Sequence, residues 1–296
     1  MRVALIGSSS FLGQAIHRNL EDLDAQILSI SRSSSLVYDY PDQPITGLMP
    51  SLLNNDVIIY CSAAGVQPDH RDSVQLIYGL NTFEPLRLIQ LLEEHRYQGQ
   101  LISFGSYFSL GENNLTGPVD ELYLLQHSNP QPNIYCDSKK WFSRLSDNYM
   151  NLTFAHLHLV LTNIYGPGEN EHRLFPYLKR ALDKNETPEL TSGIQERQFT
   201  YVADVADFIV EGIKSQRRNG VFHLSNPKVV QVKGAVKEFY HQYNLRNGTV
   251  HQPNFGAVAN KRDSSMDYLA LDCSKAFTTF GRPKFTSLSE GLKTYL

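Results

Sequence analysis

The stretch Arg2-Val3-Ala4-Leu5-Ile6-Gly7-Ser8-Ser9-Ser10-Phe11-Leu12-Gly13 decides the fold. Its first residues form an apolar run of strand length, small residues follow, and from Leu12 to Leu20 the apolar positions return at helical spacing. A strand, a tight turn and a helix are therefore expected in succession. The glycines keep a G-x-x-G-x-x-G spacing, with Ser10 in the middle glycine's place. Gly7 can take the backbone angles of a sharp turn, and Gly13 lets the helix pack closely on the strand. The helix's unpaired N–H groups and its dipole then face an anion such as a dinucleotide pyrophosphate. Gly7, Ser9, Ser10, Phe11, Leu12 and Gly13 are accordingly candidate cofactor-binding residues.

Outward from this turn the alternation repeats. Ile27 to Ser31 and Asp56 to Ala63 are apolar runs of strand length, Val74 to Glu94 reads as one long amphipathic helix, and Gln100 to Ser106 as another strand. Repeated strand-helix alternation needs crossover connections, which favour a parallel sheet covered on both faces. The expected fold class is α/β, a doubly wound Rossmann sheet with a smaller mixed α/β lobe. A second register starts with a strand from Leu157 to Asn163 and the breaker Tyr165-Gly166-Pro167-Gly168. A helix from Phe175 to Asp183, a strand from Phe199 to Val202 and a helix from Val205 to Lys214 follow. Beyond Asn226, short strands near Val229 and Leu269 and helices near Gly234 and Leu288 are expected. Residues 1–165, rejoined by 199–225, read as the dinucleotide-binding domain, and 166–198 with 226–296 as the substrate-binding lobe.

Composition narrows the class. With 296 residues, 41% of them hydrophobic, the chain can bury one large core or two coupled ones. Charged residues make up 19% and the formal net charge is −3, so no global field holds nucleic acid and any anion must be bound locally. Cys61, Cys136 and Cys273 are odd in number and lack ligand-like pairing with histidine, which suggests free thiols in a reducing cytoplasm and no metal site. The apolar opening, followed soon by His17 and Arg18, lacks the pattern of a signal peptide. No apolar run reaches the ~18 residues of a membrane span. A cytoplasmic enzyme with neither nucleic-acid nor membrane partners is expected.

The end of the second strand selects the cofactor, because an acid there bonds the ribose 2′-hydroxyl and repels a 2′-phosphate. This chain has Ser29-Ile30-Ser31-Arg32-Ser33 and no acid. Ser31 and Arg32 suit the phosphate through charge-assisted bonds, so NADP(H) is favoured over NAD(H). Downstream, Tyr135-Cys136-Asp137-Ser138-Lys139 opens an expected helix from Tyr135 to Tyr149. Positions four apart share a helix face, so phenol and ammonium can converge, and a nearby cation favours the phenolate. The strand Leu101-Ile102-Ser103-Phe104-Gly105-Ser106 ends in hydroxyl residues where active sites of parallel sheets gather. Ser106 is the better placed to meet a substrate oxygen, with Ser103 its competitor.

These blocks resemble the extended short-chain dehydrogenase/reductase family, in its nucleotide-sugar epimerase, dehydratase and reductase branch. So do Asp56-Val57-Ile58-Ile59-Tyr60 leading to Ala63-Ala64, Asn81, Asn163-Ile164-Tyr165-Gly166-Pro167-Gly168, Arg197 through Ala206, and Leu271 through Ala276. The resemblance covers nearly the whole chain. It implies a catalytic triad of Ser106, Tyr135 and Lys139, cofactor contacts from Ala63 and Asn81, and substrate contacts from Asn163, Arg197 and Arg262. It also allows a homodimer. Three positions depart from the pattern: Ser10 replaces a glycine, Val160 stands where many relatives carry arginine, and His223 where asparagine is common.

Dehydratases of this branch carry an Asp-Glu pair just after the catalytic hydroxyl residue, because water elimination needs its own acid and base. Here Ser106 is followed by Tyr107-Phe108-Ser109. What remains is hydride and one proton: NADPH-dependent reduction of a nucleotide-linked 4-keto-6-deoxy sugar, or 4-epimerisation with NAD through a transient ketone. The overall pattern looks most like the CDP-abequose synthase type, which reduces a CDP-4-keto-6-deoxyhexose. A third reading, a non-catalytic dinucleotide-binding sensor or scaffold, fits poorly with an intact Tyr and Lys.

Overall fold

The structure is a computed structural model that describes residues 1–66, 72–148, 152–214, 218–258 and 266–296. The opening stretch forms β1 (Arg2–Ile6) and α1 (Phe11–Glu21), followed by β2 (Gln26–Ser31), β3 (Leu36–Val37), α2 (Met49–Leu52) and β4 (Val57–Tyr60). The segment expected as one helix divides into α3 (Val74–Tyr78), a π-helical turn at Gly79–Phe83, and α4 (Glu84–Glu94). Pro85 explains the interruption, since it has no N–H for the preceding turn and its ring clashes with the carbonyl there. The chain widens instead, and the Glu84 amide donates to Gly79 O.

Next come β5 (Gln100–Ser106), α5 (Glu121–Gln126), α6 (Ile134–Asn148) and β6 (Ala155–Leu161). Tyr149, the expected end of α6, lies outside the described residues. β7 (Asn163–Tyr165), α7 (Leu174–Asp183), β8 (Glu189–Leu190), β9 (Glu196–Tyr201), α8 (Val202–Lys214) and β10 (Gly220–Leu224) follow. The chain closes with β11 (Val229–Gln231), α9 (Val232–Asn247), β12 (Asn254–Phe255), β13 (Tyr268–Leu269), α10 (Ser274–Phe280) and α11 (Leu288–Leu292).

Seven strands form one parallel sheet in the order β10-β6-β5-β4-β1-β2-β3. β4 and β5 are buried along their whole lengths, as central parallel strands covered on both faces must be. Alternate residues feed opposite cores. Leu5, Ile59 and Ile102 pack with Ile16 of α1 and Ile209 of α8, while Ile6, Ile58 and Leu101 pack with Leu88 of α4 and Phe142 of α6. The order reverses between β1 and β4, so the strand ends open a crevice there.

The run expected as a single strand from Leu157 to Asn163 changes sheets. β6 stops at Leu161, and Asn163–Tyr165 pairs with β9 in a smaller sheet that also holds β11 and β13. An aromatic cluster of Tyr165, Phe175, Phe199 and Phe239 seals α7 and α9 onto this sheet. The short elements β3, β8, β12, α5 and α10 escape periodicity because too few residues carry the pattern. Among the described residues, no helix is long and apolar enough to cross a membrane, and Cys61, Cys136 and Cys273 form no disulfide.

Candidate active site at the carboxyl ends of the parallel strands

The turn after β1 is built around two places where a side chain does not fit. Gly7 has φ of 82°, and a Cβ on it would lie 2.7 Å from the Ser62 amide nitrogen. A Cβ on Gly13 would lie 2.2 Å from Gly7 O. Ser10, the departure from the three-glycine pattern, caps α1: its Oγ accepts from the Gly13 amide at 3.0 Å. Phe11 and Leu12, whose first-turn amides have no intrahelical acceptor, border a cavity of about 510 Å³ together with Gly7, Ser9 and Ser10.

At the end of β2 that cavity meets Ser31 and Arg32. Ser31 is buried and its Oγ accepts from the Ser33 amide at 3.3 Å, so it shapes the turn. Arg32 is exposed at the cavity edge. Tyr38 forms another wall, and its hydroxyl points away to Glu84 Oε2 at 3.1 Å. The carboxylate of Asp72 borders the cavity and accepts from the Gly65 amide at 2.8 Å.

A second cavity, of about 870 Å³, shares Leu12, Cys61, Ala63, Ile164 and Arg173 with the first, so the two form one trough. Ser106, Tyr135, Lys139 and Asn163 all border it. Ser106 ends β5, accepts from the Phe108 amide at 3.3 Å and faces the same cavity as Tyr135. Its competitor Ser103 is fully buried among imidazoles, 2.8 Å from His156 Nε2 and 2.8 Å from His158 Nδ1. It does not reach the cavity. A length of trough able to take a dinucleotide, with two Cβ-free approaches and a helix start at one end and hydroxyl and ammonium groups at the other, fits a nicotinamide cofactor.

Lys139 is buried, and its Nζ donates to Phe104 O at 3.2 Å. Burial pushes its pKa down to about 8, partly opposed by Cys61. Tyr135 is held above the ordinary phenol range, first by burial, with neighbouring Cys136 adding to the rise. Neighbouring Ser106 and, less, the charge of Arg173 pull it back. Lys139, one helical turn on from Tyr135, borders the same cavity, and its Nζ keeps two further N–H donors beyond the bond to Phe104 O.

Asn81 sits in the π-helical turn and spends its whole amide inside the protein. Oδ1 accepts from Ala64 N at 3.0 Å, and Nδ2 donates to Ala64 O at 2.9 Å and to Ser138 Oγ at 3.0 Å. It therefore ties the loop after β4 to α6. Arg197 borders neither cavity. It is 2% exposed in β9, and its Nη1 donates to Glu196 O at 2.9 Å and Asp267 O at 3.2 Å. Arg262 lies outside the described residues. Of the positions that depart from the pattern, Val160 is buried against Gly105, and His223 donates its amide to buried Glu121. Among the described residues, no group of three or more His, Cys, Asp or Glu is placed to hold a metal.

The model of the NAD dependent epimerase/dehydratase family matches residues 3–224. The chain belongs to that family. Its similarity to the CDP-abequose synthase of Salmonella muenchen is 21% identity over 304 residues, spanning 100% of this chain and 97% of that protein. The CDP-abequose synthase of Yersinia pseudotuberculosis is 23% identical over 249 residues, 80% of this chain and 82% of that protein. Among solved structures, the fold matches the Bordetella bronchiseptica enzyme WbmH in complex with NAD+ with a TM-score of 0.77, at 19% identity, over 99% of this chain and 96% of that one. It matches the Thermus thermophilus UDP-glucose 4-epimerase complex with NAD with a TM-score of 0.80, at 16% identity, over 99% and 97%.

In this epimerase/dehydratase family member, one site residue, Arg173, had no place in the motif reading. Arg173 and Glu169 follow the Gly-Pro-Gly breaker, and both border the first cavity. The signal was their i, i+4 spacing at a helix start, which is too common on its own to stand out.

Proposed function

We propose that the protein reduces the C4 ketone of a nucleotide-linked 4-keto-6-deoxy sugar, with NADPH as the hydride donor. One observation carries this reading. The cavity that joins Ser106, Tyr135 and Lys139 continues past Ser106 into Phe108, with Tyr107 buried behind it, where elimination chemistry would need a second acid and base. The curated relatives named CDP-abequose synthase, matched over 100% and 89% of this chain, support a nucleotide sugar as the substrate.

The nicotinamide supplies the hydride, and the chain's own groups do the rest. Ser106 orients the carbonyl oxygen. Tyr135, on the same cavity as Ser106, delivers a proton to that oxygen as it becomes an alkoxide. Lys139, bonded to Phe104 O at the floor of the cavity, holds the ribose next to the nicotinamide. Gly7, Ser9 and the amides of Phe11 and Leu12 cradle the pyrophosphate, Ala63 walls the trough, and Arg32 takes the 2′-phosphate. Asn163 meets the substrate side of the cavity.

The test is incubation with NADPH or NADH and a panel of nucleotide-4-keto-6-deoxyhexoses, following the nicotinamide absorbance and the product by NMR. Stoichiometric NADPH consumption with a new C4 hydroxyl is expected. A protein that interconverts two 4-epimers without net NADPH oxidation would instead be a 4-epimerase, which the same residues could serve with NAD.

A further inference from the structure

The glycine turn by itself offers an anion few donors. The Gly7 and Ser8 amides are bound to Ile30 O, the Ser10 amide to Gly7 O, and the Gly13 amide to Ser10 Oγ. At the start of α1 that leaves the amides of Phe11 and Leu12, and the first turn, Phe11 to Gln14, holds no basic side chain. A pyrophosphate set there meets backbone dipoles and no full charge. Among the described residues, the basic side chains that border the first cavity are Arg32, just past the end of β2, and Arg173.

Arg173 stands immediately before α7 and borders both cavities, at the seam where they meet. It comes from elements packed on the smaller sheet, whereas the glycine turn belongs to the larger one. Its Nε donates to Glu169 Oε1 at 3.0 Å and its Nη2 to Ile164 O at 3.4 Å. A guanidinium has five N–H donors, so others remain for a ligand, and the side chain is 25% exposed. Glu169 has a side chain only 5% exposed, and a carboxylate so placed needs its oxygens paired. Its second oxygen accepts from the Tyr295 hydroxyl, which in turn accepts from the Gly166 amide at 2.6 Å. The Tyr295 ring lies 5.8 Å from Phe175 and 6.3 Å from Phe239, inside the aromatic cluster. The end of the chain, the Gly-Pro-Gly loop and the start of α7 are thus one hydrogen-bonded unit, and the group it delivers to the seam is a guanidinium.

We propose that Arg173 is a further cofactor-binding residue, whose guanidinium adds to the glycine turn the full positive charge that the dinucleotide's pyrophosphate needs. Its planar fork suits two phosphate oxygens. The inference rests on the trough holding a nicotinamide dinucleotide and not on which sugar is reduced. The pyrophosphate is common to NADH and NADPH, so Arg173 sets the affinity for either cofactor without choosing between them. Arg32, at the 2′-phosphate, does the choosing.

Calorimetric titration without any sugar tests this. Arg173→Gln should weaken NADH and NADPH by the same factor, about tenfold or more, as expected for loss of a charge-assisted contact. Arg173→Gln combined with Glu169→Gln should also weaken both, which excludes a stranded carboxylate as the cause. Arg173→Lys keeps the charge and should lose less than glutamine. Saturation-transfer NMR should show ADP weakened by Arg173→Gln and adenosine unaffected, whereas a collapsed cavity would weaken both. Circular dichroism on each variant checks that the fold is retained. Unchanged affinity for both cofactors in the two glutamine variants would overturn the proposal, as would a loss for lysine equal to that for glutamine. CDP, UDP and dTDP titrated into the NADPH-saturated protein separate the other source of a diphosphate. If Arg173→Gln abolished their binding and left both cofactors unchanged, Arg173 would serve the sugar nucleotide and the cofactor assignment would fall. If cofactor affinity drops as expected but no keto sugar is reduced, the reaction assignment fails and this inference stands. If keto sugars are reduced and cofactor affinity does not move, the reverse holds.

Discussion

Asn81 and Ala64 hold one another through both ends of the amide, with Ala64 N donating to Asn81 Oδ1 and Asn81 Nδ2 donating to Ala64 O. This pair closes the loop after β4 that forms the wall shared by the two cavities. Asn81→Ala leaves buried backbone groups unpaired, each at about 1–3 kcal/mol. Urea denaturation should show a loss in that range, and calorimetry weaker cofactor binding. Asn81→Asp should not rescue either, because it sets a second acceptor against Ala64 O.

Tyr135→Phe removes the proton donor and little else. The fold and cofactor affinity should persist while turnover of a keto sugar falls by ~10² or more, the range for a positioned acid. Near-normal turnover in steady-state kinetics would exclude Tyr135 as the donor.

Arg32→Ala tests the cofactor assignment. Arg32 stands exposed where no acid ends β2, and a charge-assisted contact to a 2′-phosphate is worth ~1.5–3 kcal/mol. Calorimetry should find NADPH bound more tightly than NADH by wild type, with at least a tenfold loss of that preference in the variant. A wild-type preference for NADH would overturn the assignment.

Lys139 is held at a cost. Its pKa falls on folding from the ordinary 10.5 to about 8, so between those values the unfolded chain binds more protons than the native one. Stability therefore rises with pH across that window, and the full penalty is present below it. Lys139→Met should raise unfolding free energy at pH 7 by ~1–3 kcal/mol, an advantage that shrinks towards pH 10. It should at the same time lower turnover and weaken cofactor binding. A destabilised variant at neutral pH would contradict the burial argument.

His156, fully inside the sheet with Ser103, is pushed by burial from 6.5 to about 4. The native state refuses a proton that the unfolded chain accepts, so this residue removes stability as pH falls from 6.5 through 4. Buried Glu121 and Glu169 are raised and act in the opposite sense. The slope isolates the histidine: His156→Gln should flatten the acid limb of a stability-against-pH curve relative to wild type. Identical slopes would count against the neutral imidazole.

The choice between Ser103 and Ser106 shows where reading along the chain stops. Both lie on the same strand, and only the packing of His156 and His158 under α6 turns Ser103 to the imidazoles while Ser106 emerges at the strand end. The single helix expected from Val74 to Glu94 failed for a local reason, Pro85, that was visible in the sequence. The split of Leu157–Asn163 was not visible, because strand propensity does not say which sheet a strand joins.

The nucleotide turn could be read from the sequence alone because its constraints are short-range. Gly7 needs a positive φ, Gly13 touches Gly7 O, and Ser10 caps the helix that begins beside it, all within a few residues. Tyr135 and Lys139 were legible for the same reason, being one helical turn apart. The fate of the arginines was decided in three dimensions. Arg197 is turned to backbone carbonyls between β9 and β13, although its motif pointed to the substrate. Arg173, with no motif of its own, is carried to the seam by a carboxylate and by a tyrosine that sits far off in sequence. A guanidinium on a long, flexible side chain goes where its partners are, and those partners are assembled only by the tertiary fold.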